Sequence, residues 1–169
     1  ASAYESAGSS ELAEEHYLKA FESSKNSSKY GLAYAQFLMR RKQVDRAEKV
    51  LENILSAHPD DEVAIRALAQ FKIAKGDYAG AQALSDRVKN TNAQSALTDE
   101  IQGAMSLSRN DVEGTIKALK RAYEKNQNDI KSINSIVSVY VQTGKTPEAI
   151  SFLEAAVKAN PNKADARLR

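Results

Sequence analysis

The chain has 169 residues, with 24 Lys and Arg against 22 Asp and Glu, and its formal charge of +2 is spread along the length. That balance lacks the concentrated positive field that phosphate backbones require, so nucleic acid is not an expected partner. There is no cysteine, which excludes disulfides and thiolate metal sites, and no apolar run approaches the ~20 residues of a membrane span.

In chain order, residues 1–27 read as a truncated unit in which only the second helix, about Glu11–Ser23, is well patterned: Leu12, Ala13, Tyr17, Ala20 and Phe21 form one stripe at helical spacing. A polar turn follows, in which Ser27 or Ser28 can cap the next helix. The first full unit, 28–61, pairs a helix carrying Tyr34, Ala35, Phe37 and Leu38 with one carrying Ala47, Val50, Leu51, Ile54 and Leu55. Pro59 stops it, and Asp60 or Asp61 caps what comes next.

Units 62–95, 96–129 and 130–163 repeat that plan. Between the helices of the second unit, Gly76 can take the positive φ that ends a helix and Asp77 can cap its successor. A shift of 34 residues lays Asn110-Asp111-Val112 on Gly76-Asp77-Tyr78, and Gly144 on Asn110. Ala47, Ala81, Thr115 and Ala149 share one position of the period, and all are small. A fixed period of this length signals a stacked repeat array. Residues 164–169 begin a further helix, so both ends open into half a unit and a fragment of a longer protein is expected.

These residues resemble the tetratricopeptide repeat, whose pattern is W-x2-L-G-x2-Y…A-x3-F…P on a 34-residue period. Ile133, Ile136, Val137, Tyr140, Ala149, Leu153 and Pro161 take those places in the fourth unit; Ile65, Leu68, Ala69, Lys72, Ala81, Ser85 and Ala93 take them in the second. The departures are the lack of any Trp, Gly31 and Asp99 at the Trp place, and Lys72 and Ser106 at the Tyr place. The wording of Ala57–Asp61, Lys75–Ala81 and Thr143–Pro161 also resembles bacterial tetratricopeptide proteins of the cell envelope, some tied to exopolysaccharide export or protein sorting. The periplasm or envelope is therefore expected in preference to the cytoplasm.

The resemblance implies an all-α fold, a right-handed superhelical solenoid of antiparallel helix pairs, with the first helix of each pair lining a concave groove. It implies a non-enzymatic scaffold that holds a peptide or a partner helix there, without cofactor or metal. Expected contacts are Leu32, Gln36, Met39, Arg66, Gln70, Ile73, Leu107, Asn134 and Ser138. One groove column, Met39, Ile73, Leu107 and Val141, is apolar throughout; such side chains either wedge between successive helices or receive a ligand. The alternative is a structural spacer or self-association segment of an envelope or secretion assembly, possible as a homo-oligomer. The carboxylate clamp of chaperone-binding relatives is not expected, because Leu32, Gln36, Ala67, Leu97 and Ile101 hold its places in the first three repeats. Arg40, Arg41, Lys42, Arg46 and Lys49 form the densest basic cluster, and His16 and His58 read as surface residues.

Overall fold

The computed structural model describes residues 10–127 and 129–159, and the expectations placed on 1–9 and 160–169 lie outside them. The described residues form helices and no strand: α1 (Ser10–Ser23), α2 (Ser28–Arg40), α3 (Val44–Ala57), α4 (Glu62–Ala74), α5 (Tyr78–Thr91), α6 (Leu97–Ser108), α7 (Val112–Lys125), α8 (Ile130–Gln142) and α9 (Thr146–Ala159). This is an all-α, tetratricopeptide-like fold. The chain divides into two compact units, Ala1–Gly80 and Ala81–Arg169. In the first, α1 to α4 pack each on the next, and α2 also touches α4. In the second, α6 packs on α7, α7 on α8 and α8 on α9.

Four corners explain why even-numbered helices end where they do. Lys42, Gly76, Asn110 and Gly144, each 34 residues from the last, have φ of 60°, 78°, 58° and 73°. At each, the left-handed residue's N–H reaches back to the carbonyl three residues earlier, and the following N–H reaches the carbonyl five earlier; Gly76 to Ile73 (2.9 Å) and Asp77 to Lys72 (2.8 Å) is one instance. This double hydrogen bond satisfies carbonyls that a helix end otherwise leaves orphaned. Lys42 adopts the geometry although it is not Gly or Asn, so that corner was not legible from its residue type.

Capping is uneven. Asp61 accepts from the backbone N–H groups of Val63 and Ala64, and Asp129 from those of Lys131 and Ser132. Asp77 and Asp111 cap the odd-numbered helices α5 and α7 through the N–H of Gly80 and Gly114. Ser27 stands at the expected cap of α2 but accepts no backbone hydrogen bond from it; its hydroxyl turns to Ser24 Oγ instead, 3.2 Å away. The serine cap expected there is thus corrected. Asp61→Ala and Asp129→Ala should each cost about 1 kcal/mol in urea unfolding, and Ser27→Ala only a few tenths.

The small column is buried as the period requires. Ala13, Ala47 and Ala81 are 0% exposed, Thr115 1% and Ala149 3%. Thr115 disposes of its hydroxyl by donating to Asp111 O at 2.7 Å. Around the column the first unit buries Phe37, Leu38, Ile54 and Ile65, and the second buries Ile136, Tyr140 and Ala149 with Ile116, Leu119, Tyr123, Val137 and Phe152 packed against them.

Candidate functional site

The sequence-derived contact residues fall on the even-numbered helices, and each unit carries its own set. In the first, Leu32, Gln36 and Met39 lie on α2 and Arg66, Gln70 and Ile73 on α4, two helices in direct contact. Gln36, Met39, Arg66 and Gln70 are exposed and Leu32 is half-buried. Ile73 differs: it is 8% exposed whereas Met39 is 44% exposed. Along the apolar column, therefore, Ile73 wedges into the packing while Met39, Leu107 and Val141 stand in solvent. Val63, 56% exposed on α4, adds an apolar side chain to the same face. In the second unit, Leu107 is exposed in the last turn of α6, and Asn134 and Ser138 are exposed on α8. Each unit's set thus presents apolar side chains among uncharged amides and hydroxyls, and in the first unit it includes the cation Arg66.

The odd positions in the repeat pattern turn out to be ionic or steric solutions. Lys72, at a Tyr place, lies among Glu48 (hydrogen-bonded), Asp77 Oδ2 (3.3 Å) and Glu52 (4.0 Å). Lys75 completes the cluster with Glu48 at 2.7 Å and Asp45 at 3.4 Å. Hydrogen bonds from Lys72 and Lys75 hold the Glu48 carboxyl below the usual carboxylate range, and Lys72 is correspondingly raised. Asp99, at a Trp place, is 6% exposed. It accepts from Arg121 Nε (2.7 Å) and Lys125 Nζ (2.8 Å) on α7, and Lys125 also donates to the carbonyls of Ala93 and Ser95. Burial pushes the Asp99 pKa up, but the two cations outweigh it and leave the group below its ordinary value. Gly31, at the other Trp place, has no room for a side chain: an added Cβ would sit 2.6 Å from Ile54 Cδ1 and 2.8 Å from Phe21.

A cavity of about 600 Å³ opens elsewhere in the first unit, between α1 and α3 and over α2. Phe21, Tyr34, Leu38 and Val50 line it, with Arg46 and Lys49 among the polar residues around them. Arg46 bridges Glu14 (2.6 Å) and the Tyr34 hydroxyl (3.2 Å); burial is the main cause that raises the Tyr34 pKa. None of the expected contact residues lines this cavity. Its only trace in the sequence was the basic cluster that includes Arg46 and Lys49. His58 is exposed, as expected, but joins its Nε2 to the Lys25 carbonyl at 2.9 Å and so ties the end of α3 to the turn after α1. Among the described residues no group of His, Asp and Glu is arranged to hold a metal, and no helix is long and apolar enough to cross a membrane.

Profiles of the tetratricopeptide repeat match residues 38–104 and 130–163. The chain belongs to the tetratricopeptide repeat family. As an array of such repeats it is a protein-interaction scaffold, and proteins of this class are in general non-enzymatic. Its fold is similar to that of a tetratricopeptide repeat protein from Parabacteroides merdae (TM-score 0.67, 14% identity, 92% of this chain and 60% of that one). It is similar also to a thermophilic tetratricopeptide protein of Thermus thermophilus (TM-score 0.67, 15% identity, 97% and 90% covered). MamA of Desulfovibrio magneticus is a third such structure (TM-score 0.57, 16% identity, 95% and 91% covered). The chain therefore spans 60% of the Parabacteroides protein's length. No curated protein sequence matches it.

Proposed function

We propose that the chain binds an extended peptide or a partner helix on the exposed face of its even-numbered helices, as the groove of repeats 28–61, 62–95, 96–129 and 130–163 within a larger bacterial protein. The observation that carries this reading is the contact of α2 with α4, two helices that leave Met39 and Val63 in solvent and Gln36, Gln70 and Arg66 exposed. Apolar side chains can anchor a ligand, amides can donate to and accept from its backbone, and a preformed helical face loses little entropy on docking. Leu107, Asn134 and Ser138 are the corresponding contacts within the second unit.

Panning a displayed peptide library on the chain and measuring the selected peptides by fluorescence anisotropy tests this. Met39→Glu should weaken binding at least tenfold, whereas Asn53→Glu, beside the cavity between α1 and α3, should leave it unchanged. The opposite pattern would move the site to that cavity.

A second reading, a self-association or spacer segment of an envelope or secretion assembly, is favoured by α9. Ile150, Leu153 and Val157 are 53%, 39% and 51% exposed, at the spacing of one helical stripe. Light scattering separates the two: mass that rises with concentration and is abolished by Leu153→Glu supports association, and a constant monomer mass rejects it.

A further inference from the structure

The joint between the part of α5 that lies in the second unit, from Ala81 on, and α6 is built differently from its counterpart one repeat later. Where α7 meets α8, Leu119 packs on the cluster around Ile136, an apolar contact. Moving back 34 residues replaces Leu119 with Ser85 and Ile136 with Gln102. Ser85 is 0% exposed, and its hydroxyl has the Thr98 carbonyl at 3.4 Å as acceptor. Gln102 Nε2 donates to Gln82 Oε1 at 2.8 Å and lies 3.4 Å from Ser85 Oγ. Thr98 Oγ1 is buried and has no hydrogen-bond partner. Two of these three contacts are at the long limit of a hydrogen bond, and the Thr98 hydroxyl is unsatisfied; the next joint also buries an unpartnered hydroxyl, Tyr123 Oη, but there the contact of Leu119 with the Ile136 cluster is carbon on carbon. Water can satisfy every group in the polar seam if it opens, but at the apolar one it can satisfy the Tyr123 hydroxyl and not the Leu119–Ile136 contact. Helix α5 is also poorly helical in its own right, since it contains Gly80, Ser85, Asp86, Asn90 and Thr91.

We propose that the α5–α6 joint is a built-in opening point: α5 parts from α6 and locally unfolds while α6 to α9 remain packed. Local openings of this kind span a wide range of free energy within one fold, and the least apolar seams lie at the low end. As a consequence α6 and α8, which carry Leu107, Asn134 and Ser138, can change their setting against α5 as one block to fit a ligand. That consequence rests on the binding face proposed above; the opening does not.

Hydrogen exchange read by mass spectrometry on the ligand-free chain tests the opening alone. Peptides within residues 82–91 should exchange at least tenfold faster than peptides within 116–125 and 131–140, and should do so with little dependence on dilute urea, as a local event exposes little surface. Equal or slower exchange in α5 overturns the proposal. The paired variant Ser85→Leu/Gln102→Ile copies the next joint and should bring α5 protection to within a factor of about three of α7. Fast exchange persisting in a variant of unchanged helical content also overturns it, because the seam would not be the cause. Should the variant fail to fold, the comparison within the parent chain still decides.

Discussion

Removing the Arg121 and Lys125 side chains together is expected to destabilise the chain by about 3–5 kcal/mol, the cost of stranding a buried carboxylate. Asp99 is the buried member, with 8% of its side chain exposed, while Arg121 and Lys125 keep 44% and 26%. The cations can therefore return to water when their partner is lost, and the anion cannot. Asp99→Leu, which restores an apolar residue at the Trp place, should accordingly cost less than about 1 kcal/mol or even stabilise, as apolar replacements of buried ion pairs often do. Urea unfolding of the two variants ranks them, and the reverse order would show that Asp99 contributes more than it costs. The same carboxylate sets an acid limb. Asp99 and Glu48 both have folded pKa values below their ordinary ones. Their contribution is complete above the usual carboxylate range near 4, and is lost as pH falls from there through the lower folded values. In Asp99→Leu the acid limb below about pH 4 should be shallower than in the parent; an unchanged limb would exclude Asp99 as a source.

Gly31→Trp, which writes the repeat's consensus into the first unit, is expected to destabilise by about 3 kcal/mol or more. Gly31 is buried against Ile54, 0% exposed, and Phe21, 3% exposed. The slot that a Trp fills in the pattern is here filled by its neighbours, so a large side chain forces them off their rotamers. Gly31→Ala should itself destabilise, by about 1–3 kcal/mol, since its Cβ meets Ile54 Cδ1 at 2.6 Å and Ile54 Cγ1 and the Phe21 ring at 2.8 Å, buried atoms whose displacement outweighs the helix-propensity gain of about 1 kcal/mol. Combining Gly31→Leu with Ile54→Ala should cost at least about 1 kcal/mol less than the sum of the single changes, because one makes room for the other. Additivity in thermal or urea unfolding would mean that the two do not share a slot.

The architecture was legible because its signals are local or periodic. Gly76, Asn110 and Gly144 announce left-handed corners by residue type or by the 34-residue shift, and Asp61 and Asp77 announce caps by their place before an apolar run, with Asp111 in the register of Asp77. The small column from Ala47 to Ala149 gave the period. What the sequence withheld depends on side chains that meet across helices. Asp99 looked like a defect because its partners lie 22 and 26 residues on, and Lys72 because Glu48 lies 24 residues back. Gly31 looked like a weak unit because nothing local shows that Ile54 and Phe21 occupy its space. For the site, the places on α2 and α4 were implied by the resemblance to the repeat family, which does not separate Ile73 from its column: Met39, Ile73 and Leu107 hold one place in the period, and only packing buries Ile73. The cavity between α1 and α3 was missed because Phe21, Tyr34, Leu38 and Val50, most of its apolar lining, read as core by their helical spacing.

The four left-handed corners have a consequence for how such a chain can change in length. Each is closed by the same pair of backbone hydrogen bonds, so the bend does not depend on what precedes or follows it. Gly76 and Asn110 are both followed by an aspartate that caps the next helix. Splicing Gly76 directly to Asp111 would thus conserve the bend and its cap while excising one block of the period. The corners are natural joints for duplication and loss, at which a gene can gain or shed a hairpin without a new turn having to be invented.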